Sequence, residues 1–364
     1  MDRIAAIWSR VNRSLFPHLK ECLPGMTQTH LRLATALEVI RIEDHIPPAW
    51  IQWYGRKRKD RKAVARAFVA KVVQKMPTTK ALVERLRVEK NLRALCGWEY
   101  AGQVPDESTF SRAFAEFAKT GLLDQVHEAV VKHHLGDEIA WHVSRDSTAI
   151  EAREKPVRKQ EGSRQSKPRR KRGRPKKGEE PPPADERRLA RQRKQTATEA
   201  LSELPTACDI GTKVDAKGHK TSWCGFKLHM DVVDGDIPVF AVTTSASLHD
   251  SQAAIPMGKR TAERVTSWYD LMDKAYDARD IRQSSVELGH VPIIDVNRRS
   301  GKAVPMEPDR ARRYGNRSSA ERVNSRLKDD CGGRMVRVRG APKVHTHLMF
   351  GVLVIFAEAL LALG

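Results

Sequence analysis

Residues Tyr314 to Lys328 read Y-G-N-R-S-S-A-E-R-V-N-S-R-L-K. Counted from Glu321, Tyr314 lies at −7, Arg317 at −4 and Lys328 at +7. On an α-helix these offsets share one face, because seven residues make nearly two turns and four make slightly more than one. A carboxylate flanked by two cations and an aromatic is a poor core face. It suits a surface that holds a metal ion beside a nucleic-acid phosphate. Ser318-x-x-Glu321 also fits a capping box, in which Glu321 only reaches back to the helix N-terminus and Tyr314 and Arg317 precede the helix. The rest of the chain bears on which reading holds.

Upstream, Glu138 to Ser147 (EIAWHVSRDS) alternates, with Ile139, Trp141 and Val143 on one face and His142, Ser144 and Asp146 on the other. This predicts a strand ending near Asp146. Ser222 to Val233 (SWCGFKLHMDVV) is strand-like, Asp234-Gly235 is a hairpin turn signal, and Asp236 to Ser245 returns as the partner strand. A helix near 251–264 follows, then a strand Trp268 to Asp273, a helix near 277–288 and a strand His290 to Val296. The helix carrying Glu321 closes the series. This order predicts an α/β domain, a mixed sheet flanked by helices.

Asp146 and Asp273 therefore stand at strand ends, with Glu321 on a following helix. Three converging carboxylates repel unless a cation sits among them. Arg317 and Lys328 are candidates. Mg²⁺ serves better, since it takes hard oxygen ligands, often a couple of carboxylates plus substrate phosphate. Two such ions can activate an attacking hydroxyl and stabilise the leaving oxygen of an in-line phosphoryl displacement. Asp277 competes with Asp273, but Asp273 directly follows an apolar run whereas Asp277 resembles a helix cap.

The pieces D-S-T, G-F-K-L-H, S-L-H-D-S, Y-D-L-M-D-K-A-Y-D and Y-x2-R-x3-E-x6-K, in this order, resemble the bacterial insertion-sequence transposases of the DDE type, which have a ribonuclease-H-like catalytic core. The resemblance covers roughly residues 140–360. It implies that Asp146, Asp273 and Glu321 are catalytic and hold two Mg²⁺ (or Mn²⁺) ions, and that Tyr314, Arg317 and Lys328 engage phosphates at the transposon end. It implies nicking by water, then attack of the freed 3′-hydroxyl on target DNA with no covalent protein intermediate. The implied partners are terminal inverted-repeat DNA and target DNA, with a homodimer in the synaptic complex.

Residues 1 to about 135 carry apolar spacings of three and four in Leu31–Ile42, Ala63–Val73 and Leu122–Val131, which predicts an all-α region. Several short helices in a basic protein suit DNA binding or dimerisation, as the resemblance to related transposases also implies; a plain helical bundle is the alternative. Asp106 or Ser108 is a candidate cap ahead of SRAFAEF. The domain expectation is 1–135 helical and 136–364 catalytic.

The 364 residues carry a formal net charge of +21, which argues for a polyanionic partner. Residues 151 to about 205 hold 18 Lys/Arg against 9 Asp/Glu and few apolar residues, and are expected to be a flexible basic insertion. Within it, Lys171 to Lys177 (KRGRPKK) resembles an AT-hook, with Arg172 and Arg174 suited to a narrow minor groove; a sequence-blind basic tract is the alternative.

Lys227 and His229, two apart on one strand, are candidate DNA contacts; a structural histidine is the alternative. Trp223 suits base stacking or the core, and Asp250 the site rim or a helix cap. Five cysteines without a C-x-x-C pair indicate neither a disulfide framework nor a zinc ribbon, and point to a reducing cytoplasm. For a transposase acting on DNA, the expected place there is beside the nucleoid. The apolar run from His347 to Gly364 is interrupted by Glu358 and is expected to pack on the protein core rather than span a membrane. The expected function is DNA transposition. A nuclease of the same fold without strand transfer and a non-catalytic DNA-binding protein are the rivals.

Overall fold

A computed structural model describes residues 9–47, 59–136, 138–157, 187–214, 218–296 and 305–363. The N-terminal third is helical: α1 (Phe16–Cys22), α2 (Gln28–Ile40), α3 (Arg61–Val73), α4 (Thr79–Val88), α5 (Lys90–Cys96), α6 (Glu107–Thr120) and α7 (Leu122–Leu135). Thr27, Asp60 and Thr78 start α2, α3 and α4 by accepting backbone N–H groups that the first turn leaves unpaired. Asp106 is the N-cap residue of α6 but makes no such bond.

One sheet follows, built from β1 (Ile139–Glu151), β2 (Asp209–Val214), β3 (Lys220–Val233), β4 (Ile237–Ser245), β5 (Thr266–Met272) and β6 (Val291–Ile294). Its path is β4-β3-β1-β5-β6, with β2 paired to the first half of β3. β1 is antiparallel to β3 and parallel to β5, and β5 is parallel to β6. This is the mixed sheet that the order of elements predicted, and it is consistent with the ribonuclease-H-like core that the resemblance implied. Gly225, the glycine of G-F-K-L-H, lies where β3 meets both β1 and β2. Its φ is +153°, and a Cβ there would stand 2.2 Å from the Ile150 carbonyl oxygen, so only glycine fits.

The helices of this half are α8 (Arg188–Lys194), α9 (Ala197–Ser202), α10 (Ser251–Ala262), α11 (Arg279–Glu287), α12 (Pro308–Tyr314), α13 (Ser318–Asp329) and α14 (Ala341–Ala362). Helix α14 is long and apolar enough to cross a membrane, but most of it is buried in the fold. It packs on α2, α3, α6, α7, α13 and β4, so one core runs from Val11 to Leu360 through both halves. Glu358, the charge that interrupts its apolar run, is paired with Arg32 of α2 and Arg326 of α13.

Two expectations are corrected. β1 does not end near Asp146 but runs on to Glu151, because S-T-A-I-E keeps the alternation and Ile150 is fully buried. Residues 188–202, expected within the flexible insertion of 151–205, form two helices. From Arg188 the chain is folded, with α9 started by a Thr196–Glu199 capping box and Gln192 and Lys259 tying α8 to α10.

Candidate active site

The parallel register between β1 and β5 sets Ser144 opposite Leu271 and Arg145 opposite Met272. Asp146 and Asp273 are next in that register, and residues level on adjacent parallel strands, about 4.8 Å apart, project to the same face. Asp273 has just left β5 and caps a 3₁₀ turn (Lys274–Tyr276), its Oδ1 accepting from the Ala275 N–H at 2.8 Å. The Asp146 carboxyl is pushed up to about 6. Burial is the main cause and Asp273 adds to it, against the Ser147 backbone N–H, Arg317 and Asn324.

Helix α13 is laid along the same face of β1. A 3₁₀ turn (Gly315–Arg317) joins α12 to α13, so the run from Tyr314 to Lys328 is helical throughout, tightened once. Successive same-face residues of β1 fasten it. His142 meets Asn316 and Asp234, the Ser144 hydroxyl donates to the Asn316 carbonyl at 3.2 Å, and Asn324 Nδ2 donates to Asp146 Oδ2 at 3.0 Å. At the far side of α13, Gly351 of α14 lets the helices close. A Cβ there would stand 2.6 Å from Leu327 Cδ1 and 2.9 Å from Cys331 Cβ.

The capping box does not form. Arg317 occupies the N-cap position without a side-chain cap bond, and Glu321 instead pairs with Arg317 one turn back. The Arg317 guanidinium lies 5.7 Å from the Tyr314 ring centroid. Burial opposes its charge, but Tyr314, Glu321 and Asp146 together raise its pKa. Arg317 is thus the cation shared between Glu321 and Asp146. Lys328 is not. Burial, Arg334 and Lys213 lower its pKa, while Asp329 and Glu151 are its acidic neighbours. Among the described residues, no three His, Cys, Asp or Glu side chains are spaced to hold a metal ion. The donor set is nevertheless of the right kind. Asp146 and Asp273 are hard-oxygen neighbours, one of them penalised by burial, and Glu321 rides on a helix fixed to the same strand.

Other candidates sit elsewhere. In the antiparallel register Asp146 faces Met230 while Ser147 faces His229 and Ala149 faces Lys227. Lys227 and His229 therefore project from the opposite side of the sheet to Asp146. Lys227 is bound to Asp250 and the Leu248 carbonyl, both at 2.8 Å. His229 is fully buried on Thr244, and burial lowers its pKa to about 4. Asp250 holds the N-cap position of α10 without capping it. Trp223 donates to the Phe226 carbonyl. Asp277 is bound by Arg282 at 2.7 Å, which leaves Asp273 as the acid beside Asp146. Arg172 and Arg174 lie outside the described residues. All five cysteines are free thiols.

Sequence reasoning missed Asn324, although it lies three residues after Glu321 and hence on the neighbouring ridge of the same helix. Its Oδ1 is buried without a hydrogen-bond partner among the described residues, directly beside the acid its Nδ2 holds. Tyr276, in the Y-D-L-M-D-K-A-Y-D piece, was missed too. Its hydroxyl is fully buried and unpartnered among the described residues, and its pKa stands well above the usual value through burial and then Asp250, Asp146 and Asp273.

Residues 140–357 match the family described as "Transposase DDE domain", and residues 24–116 match the family described as "Transposase domain (DUF772)". No curated protein and no solved structure matches the chain.

Proposed function

The chain belongs to the transposase DDE-domain family, a DNA transposase and hence a nucleotidyl-transfer enzyme acting on transposon-end DNA, and from that premise we propose that Asp146, Asp273 and Glu321 form its reaction centre for end cleavage and strand transfer. The observation that carries this reading is the β1–β5 register, which makes Asp146 and Asp273 neighbours on one face, together with the fastening of the Glu321 helix to that face.

Divalent metals serve this family generally. Here Asp146, Asp273 and Glu321 would hold Mg²⁺ or Mn²⁺, two ions, supplying charge neutralisation at the reacting phosphate and activation of the attacking oxygen. The chain's own residues do the rest. Asn324 keeps the Asp146 carboxylate oriented. Arg317 stands in for a cation between Asp146 and Glu321; with DNA bound it turns to a phosphate and frees Glu321. Tyr314 packs Arg317 in place, and Lys328 contacts the backbone further along. In each step an oxygen, of water in the cleavage and of the freed 3′-hydroxyl in the joining, forms a bond to phosphorus as the opposite P–O bond breaks; the attacking oxygen loses its proton to solvent and the departing oxygen takes one up from it.

The test uses pre-cleaved transposon-end DNA, a target plasmid and Mg²⁺. Wild-type protein yields joined products, whereas Asp146→Asn, Asp273→Asn and Glu321→Gln each reduce joining by a factor of about 10³ or more. Undiminished joining by any one of the three removes that residue from the centre. Cleavage without joining by the wild type would favour the nuclease reading.

A further inference from the structure

Two adjoining cavities, of about 460 and 300 Å³, open between the N-terminal helices and the segment that follows α13. They share Lys71 and Val72 of α3, Pro77, Met335, Arg337 and His347, and so form one groove. Its lining holds seven Lys/Arg against three Asp/Glu. Two of those acids are already used, Asp330 by Lys75 and Asp329 by Arg334. Lys71, Arg337 and Lys343 have no carboxylate partner among the described residues. Lys71 and Arg337 line both cavities, and burial together with Arg337 lowers the Lys71 pKa. His347 adds no charge, since burial and then Lys71 lower its pKa to about 4. Two cations lining one partly desolvated hollow repel unless an anion lies between them. The floor beneath is rigid. Phe68, Phe114 and Phe350 are buried there with ring centroids 5.2 to 6.2 Å apart, and Met335, 67 % exposed, stands at the rim.

The groove has a direction. One end is lined by Lys328, the last residue of the run that carries Glu321, and the other by Lys343 at the start of α14. We propose that this groove is a composite binding site for the phosphate backbone of the DNA duplex flanking the reacting phosphodiester, with Lys71 supplied by the helical N-terminal region and Arg337 and Lys343 by the C-terminal segment. Neither half holds the site alone. A groove lined by cations that starts on the helix carrying Glu321 matches a linear polyanion held at that helix better than an acidic peptide, whose carboxylates need no link to it. The proposal rests on the transposase reading only for the identity of the polyanion.

The test measures binding of the full chain to fluorescently labelled duplex by anisotropy across a salt series, without divalent metal, on an Asp146→Asn background. Binding and catalysis are then read separately. Each lost phosphate contact flattens the slope of log K against log salt by about 0.9. Lys71→Ala with Arg337→Ala is expected to flatten it by about two and to weaken binding at least tenfold. Lys343→Ala alone should flatten it by about one, which keeps the test valid if the double variant melts early. Arg41→Ala with Lys132→Ala, an equal charge change at exposed positions outside the groove, is the control. Equal losses in groove and control variants would overturn the proposal. So would groove variants that change the oligomeric mass while leaving DNA affinity intact, which would make the groove a protein interface.

Discussion

At the scale of single residues, Asp146 ties stability to function. Its carboxyl is pushed up to about 6 from an ordinary value near 4, chiefly by burial. The folded state therefore holds a proton that the unfolded chain has lost between about pH 4 and pH 6. By linkage, stability falls as pH rises through that window and then levels off. Asp146→Asn keeps the shape and removes the ionisation. It should stabilise the metal-free protein at pH 7 by on the order of 2 kcal/mol, seen as a higher melting temperature, with the gain vanishing towards pH 4. Melting curves of both proteins at the two pH values check this, and an equal gain at both would refute it. The same linkage bears on cation binding. Below about pH 6 a cation must displace the proton, so Mn²⁺ affinity should rise with pH up to that point and then flatten. Calorimetric titrations at pH 5, 6 and 7 read this out.

At the scale of elements, β1 is the organiser. Its even-numbered residues fasten the Glu321 helix, while on the other face Arg145 makes a buried bidentate pair with Asp231 of β3, both bonds at 2.7 Å, and Thr261 of α10 donates to the same carboxylate. Removing one partner strands a buried charge. Asp231→Ala should cost about 3–5 kcal/mol, measured by urea unfolding, and a loss below about 1 kcal/mol would mean that the pair is dispensable. Gly351→Val should cost about 1–3 kcal/mol through overpacking between α13 and α14, and should lower joining as well, because it shifts the helix that carries Glu321.

The elements were also what the sequence revealed best. Period-two alternation, the Asp234-Gly235 turn and apolar helical spacing gave the order of strands and helices, and the even face of β1, in nearly the observed form. The place of Asp273 at the end of β5 was legible because an apolar run stops there. What escaped was tertiary. The choice of Glu321 between a cap and Arg317 depends on a 3₁₀ turn docked on His142 and Ser144, which no local spacing encodes. Asn324 reads as an ordinary helical asparagine until β1 is laid beside it. Lys227 and His229 looked like site residues because two-residue spacing gives a shared face, but not which face. The short helices α8 and α9 hid in a stretch whose few apolar residues were diluted by charge.

At the scale of the whole molecule, the two regions legible as separate in sequence are joined by α14, whose buried face completes both the helical bundle and the sheet. Residues 136–364 expressed alone would expose the faces of α14 and β4 that α2, α3 and α7 cover. That fragment should lack a single cooperative unfolding transition by calorimetry, whereas the full chain has one; a fragment that melts as sharply would show the core to be divisible. The net charge of +21 then acts on an undivided body, with the cationic groove leading away from the carboxylates of the opposite sign.

Anomalous scattering from crystals of the protein with pre-cleaved end DNA and Mn²⁺ would show whether the three carboxylates meet at metal. Manganese peaks are expected at Asp146 and Asp273, with Glu321 released from Arg317 to join them and Arg317 moved to a phosphate. Manganese bound elsewhere, or Glu321 still paired with Arg317 beside a bound DNA end, would contradict that expectation.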